Sequence, residues 1–169
     1  MVLCLLGKII SSVFAVLFIS SGKNIDIYLQ GFLIGVLPIW SEVFASFLLK
    51  YEPAREGNKS LLLVDAVVDG LVFVIVPVGW FWFTLQPEAI LIVPLLVFLG
   101  AGMYRLFRFL KRGLAQSGYF QGLPVTYTGY VWLLLIYLVE VKLFWLALAI
   151  LLTLSFLMAT PKEFIKASR

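Results

Sequence analysis

The chain contains no histidine and one cysteine, Cys4. That removes imidazole acid–base chemistry, zinc sites built on His or Cys, and structural disulfides. Charge is scarce as well: Asp, Glu, Lys and Arg make up 13% of the 169 residues. No basic residue precedes the first apolar run, "MVLCLLGKIISSVF", so the positive start of a cleaved signal peptide is missing. Cys4 also lies too early for a lipoprotein cleavage site, and residues 1–20 are expected to be a retained helix. There is no internal repeat, low-complexity segment or linker. Nothing points to nucleic acid: the net charge is only +4.

What the chain does have is apolar surface. Hydrophobic residues are 63% of the sequence and the mean hydropathy is +1.08. A soluble domain of this length cannot bury that much, so the expected solvent is a bilayer. A spanning helix needs about 20 mostly apolar residues. Six segments meet or approach this: approximately 2–20, 27–49, 60–84, 88–110, 124–140 and 142–159. Helix is the expected state, because backbone in lipid must satisfy its own hydrogen bonds and these runs are too long for barrel strands. The expected fold is therefore one all-α domain over residues 1–169, an integral membrane bundle of six helices. The first span is the weakest, because Lys8 interrupts it.

Basic residues set the orientation. Lys50, Arg55 and Lys59 follow the second span. Arg105, Arg108, Lys111 and Arg112 close the fourth, and Lys162, Lys166 and Arg169 lie in the tail. The other side carries only Lys23 and Lys142. The positive-inside rule then places both termini in the cytoplasm, with Trp80 and Trp82 in the opposite interfacial belt. The polar stretches Tyr51–Ser60 and Lys111–Pro124 are also cytoplasmic in this topology, so a site for water-soluble substrates is expected to open there.

Against this background, Asp65 and Asp69 stand out inside "LLLVDAVVDGLVFVIVPVGW". At i and i+4 they share one helix face. A charged Asp near mid-bilayer costs roughly 3 kcal/mol, and two like charges cost more unless one is protonated or a cation neutralises them. A hard divalent cation, Mg²⁺ or Mn²⁺, suits carboxylate oxygens. The plainer alternative is a protonated or Lys/Arg-paired couple that only packs the bundle. Glu42 lies at similar depth in the second span, as a third oxygen ligand or the partner of a basic residue of the fourth. Glu140 reads as a solvated end residue. Arg105 and Arg108 share a face; their forks suit phosphate or carboxylate, and the topology signal would look the same. In "SGYFQGLPVTYTG", Gly122 permits unusual backbone angles and Pro124 fits a first helical turn. That helix start is an anion site or a plain turn.

Taken together these residues resemble the CDP-alcohol phosphatidyltransferases, six-helix membrane enzymes with the pattern D-x-x-D-G-x-x-A-R-x8-G-x-x-x-D-x-x-x-D. The likeness is nearest the phosphatidylserine synthase branch. Phe73 and Pro77 follow Asp69 at the offsets of that branch, Arg105 to Phe109 matches its R-x-x-R-F, and Tyr119 to Pro124 its Y-F-x-G-L-P. The likeness covers roughly residues 60–130. The first half of the pattern departs. Phe44 and Phe47 stand where the first two aspartates belong without gaps, a two-residue shift brings in Glu42, and a three-residue shift recovers only Ala54-Arg55.

The resemblance implies transfer of a phosphatidyl group from CDP-diacylglycerol to a small alcohol, serine foremost, with release of CMP. It implies Asp65 as a metal ligand, Asp69 as ligand and base, and Glu42 as the remaining early ligand. Arg105 and Arg108 would contact lipid phosphate or the serine carboxylate, and Tyr119, Phe120, Gly122 and Pro124 would shape the alcohol pocket. The implied location is a prokaryotic cell membrane, with the active face towards the cytoplasm. The alternatives are a family member that has lost catalysis and binds or regulates, including as a homodimer, and an unrelated small transporter using the Asp pair for a cation or proton.

Overall fold

The computed structural model describes residues 2–21, 25–48, 59–112, 120–161 and 163–164. Six helical runs follow one another: α1 (Val2–Ser20), α2 (27–48), α3 (59–85), α4 (Ala89–Arg112), α5 (125–140) and α6 (Phe144–Ala159). Apart from a two-residue antiparallel pairing of Phe120–Gln121 with Glu163–Phe164, every described element is helical. The all-helical expectation holds, and the helix limits follow the hydropathy runs closely. Leu63–Leu85 and Ala89–Lys111, 23 residues each, are long and apolar enough to cross a membrane. The other apolar helices among the described residues are shorter.

Local chemistry explains where the helices begin, widen and stop. Asp26 caps α2, its carboxylate accepting from the amides of Tyr28 and Leu29 at 2.8 and 3.3 Å. Gln86, at φ 42°, closes α3 in the left-handed region just before Pro87. Both α2 and α3 widen into π-helix, over Phe32–Val36 and Leu71–Ile75. Each widened turn ends two residues before a proline, Pro38 or Pro77, that cannot supply an amide. Proline lacks an N–H and its ring crowds the carbonyl four residues back, and a wider turn relieves both.

The core is one continuous apolar cluster. Trp132 is its largest fully buried side chain, with Phe81 and Phe98 packed on it at centroid distances of 5.6 and 5.5 Å. Helices α2 and α5 cross in backbone contact at Gly35 and Gly129, where a Cβ on either glycine would overlap the other's carbonyl. Helix α4 packs along α6 and α1 along α2. One face of α1, including Ile10, Phe14 and Leu17, stays exposed and wholly apolar, as a lipid-facing surface would.

Candidate functional site

Lys8 and Asp65 each stand six residues into their helices, and Arg105 stands seven residues before the end of its own. At 1.5 Å of rise per residue these positions share a level about 9–10 Å from one end of the bundle. The side chains meet there. Lys8 Nζ donates to Asp69 Oδ1 at 2.6 Å and lies 3.4 Å from Asp65 Oδ1. Lys8 is 1% exposed, against 13% and 17% for the carboxylates of Asp65 and Asp69. The Phe73 ring closes one side of the pair, its centroid 5.9 Å from Lys8 Nζ.

The expected i, i+4 pairing of Asp65 and Asp69 on one face is therefore present, and both point at a single cationic atom. Lys8 weakens α1 as a span by composition, yet α1 runs through it without a break. The apolar neighbours that made it look like an interruption are the surface that buries it. The lysine belongs to the site and was missed there. A lone ammonium in one apolar helix and a carboxylate pair in another was the available signal.

On the α1–α2 side, Ser11 Oγ and Ser41 Oγ lie 3.3 Å apart, and each hydroxyl has the carbonyl three residues back within donating distance, so one of them donates either there or across the contact. On the α4 side Arg105 is 5% exposed and lies within electrostatic reach of Asp69 and of Arg108. Among the described residues, two carboxylates thus face two cations, Lys8 and Arg105. Burial of charge is tolerable only in such balance, because an unpaired ion in low dielectric costs several kcal/mol.

Arg108 is placed differently from the phosphate contact that the resemblance implies. Its guanidinium donates to the carbonyls of Ala159 at 2.9 Å, Thr160 at 2.9 Å and Met158 at 3.3 Å. It caps the carbonyl end of α6, where the helix dipole favours a cation. Gly122 adopts φ +79°, as its glycine identity suggested, and packs against the same place. A Cβ there would overlap the Met158 carbonyl and come 2.6 Å from Arg108 Nη2. The Leu123 amide donates to Leu157 O at 3.0 Å. Pro124 precedes the first turn of α5 rather than sitting in it, and that turn is a 3₁₀ segment, Val125–Tyr130. Gly122, Pro124 and Arg108 thus form one splice between the α4–α5 connection and the end of α6.

Phe73 and Pro77 acquire a physical role. Pro77 denies Phe73 O its α-helical amide, and Thr128 Oγ1 lies 3.5 Å from that carbonyl. Glu42 lies on α2, but its side chain falls outside the described residues, as do Tyr119 and the side chain of Phe120. At the opposite end Glu140 is exposed, as expected, and accepts a hydrogen bond from Tyr28.

As a donor set, the Asp pair offers two carboxylate oxygens, the ligand type of a hard cation, and both converge on the Lys8 ammonium. Among the described residues no third acidic side chain joins them. No known protein family, curated protein or solved structure matches this chain.

Proposed function

We propose that the chain is a phosphatidyltransferase-like integral membrane protein of phospholipid biosynthesis, with six spans and both termini in the cytoplasm. The observation that carries this reading is the convergence, at one level of the bundle, of Asp65, Asp69 and Arg105. Hydropathy and the distribution of basic residues support the membrane and the orientation.

In this reading the substrate is CDP-diacylglycerol and the acceptor a small alcohol such as serine. A Mg²⁺ or Mn²⁺ ion held by Asp65 and Asp69 would neutralise pyrophosphate charge. Asp69 takes the proton of the acceptor hydroxyl. The hydroxyl oxygen bonds to the lipid-bearing phosphorus as the bond to the CMP oxygen breaks. Arg105, set among the carboxylates, faces the anionic groups of the substrate.

A second reading is favoured by the Lys8 contacts. An ammonium 2.6 Å from Asp69 holds the atom that would act as base. A protein fixed in that state binds lipid headgroups, or regulates a partner, without transfer. Purified protein supplied with CDP-diacylglycerol, Mn²⁺ and serine separates the two. CMP release that vanishes in Asp69→Asn supports transfer. No release with any small alcohol, but saturable retention of the lipid, supports the silent form. Neither release nor retention rejects the phosphatidyltransferase-like reading altogether.

A further inference from the structure

We infer that Lys8 is a built-in plug: its ammonium and a divalent cation compete for the same two carboxylates. The inference rests on the reading of Asp65 and Asp69 as a cation-holding pair, and adds a control to it. A cation bridging the pair must touch both carboxylates. Lys8 Nζ is already there, 2.6 Å from one Oδ1 and 3.4 Å from the other. The two occupants cannot share that position.

Charge enforces the exclusion. Among the described residues, Lys8 and Arg105 face the two carboxylates, and these four charges cancel. A divalent ion added to that set would leave an excess of two positive charges in a low-dielectric interior, with Arg108 adding to it from the next turn of α4. Withdrawal of the ammonium removes one of the two. The stem makes withdrawal feasible. Lysine carries its charge on four flexible carbons, and Lys8 stands six residues from the start of α1. The ammonium can swing towards the near end of the helix while α1 stays in place. The Ser11–Ser41 contact, 3.3 Å between the Oγ atoms, keeps the neighbouring turn of α1 against α2 independently of the ion pair.

The test is Mn²⁺ binding to the purified full chain, read from loss of the free-ion paramagnetic resonance signal. Lys8→Met keeps the stem and removes the charge. It should bind Mn²⁺ at least tenfold tighter than wild type, and adding Asp65→Asn and Asp69→Asn should abolish that binding. Lys8→Arg should remain at the wild-type level. Equal affinity in wild type and Lys8→Met overturns the plug, whether binding is tight or absent, and so does tight binding that survives loss of both aspartates. If Lys8→Met does not fold, wild-type protein carries the test through acylation of the Lys8 amine, followed by mass spectrometry. Mn²⁺ should accelerate acylation severalfold, and an unchanged rate overturns the proposal. Neither readout uses CMP release, so failure of phosphatidyl transfer and failure of the plug are distinguishable.

Discussion

The two ends of the bundle handle polarity in opposite ways. At one end, Lys8, Arg105 and Arg108 are buried and spend their charge on partners inside the protein. At the other, Tyr28 donates to Glu140 in an exposed contact. There Tyr28 is 38% exposed and Glu140 is open to its surroundings. An exposed contact can trade its partner for water, whereas a buried ion cannot. Charge removed from the first end should therefore be felt by the whole fold, and a polar contact removed from the second should be felt locally.

Four substitutions break that contrast in order of expected effect. Asp69→Leu removes the shorter of the two described carboxylate contacts of Lys8 and should cost about 3–5 kcal/mol, read by thermal unfolding in detergent. Arg108→Met removes a charged donor from three carbonyls and should cost roughly 2–3 kcal/mol. Its local signature is faster proteolysis around Thr160. Gly35→Ala forces apart two backbones in contact and should cost about 1–3 kcal/mol by the same unfolding measurement. Gly79→Ala is its control, since a Cβ there meets nothing within 4 Å. Tyr28→Phe, at the exposed end, should change stability by less than about 1 kcal/mol. A larger loss there than at Asp69 would reverse the comparison.

The parts of this arrangement that were legible in sequence are those set by local pattern. Apolar runs gave the helices to within a few residues, because helix in an apolar solvent depends on the segment itself. The i, i+4 spacing of Asp65 and Asp69 fixed their shared face, and the glycine at position 122 permitted the positive φ that the fold uses. Pro38 and Pro77 were visible, but their consequence, a widened turn, depends on whether a helix bends, breaks or widens around the missing amide. What connects distant segments was not legible. Lys8 lies 61 residues from Asp69 in sequence, and only packing of α1 against α3 brings them together. Arg108 read as a phosphate or carboxylate contact or a topology signal; its bonds to the carbonyls at the end of α6 were not legible, because they depend on where α6 ends. The positive-inside pattern had a similar effect, absorbing Arg105 and Arg108 into a topology signal while both side chains are turned inward.

A double-mutant cycle measures the ion pair between Lys8 and Asp69 directly. Lys8→Met, Asp69→Leu and the double variant are unfolded under one set of conditions. A direct buried pair predicts a coupling free energy of at least about 2 kcal/mol, with the double variant more stable than Asp69→Leu alone. Additive losses, with coupling near zero, would contradict it.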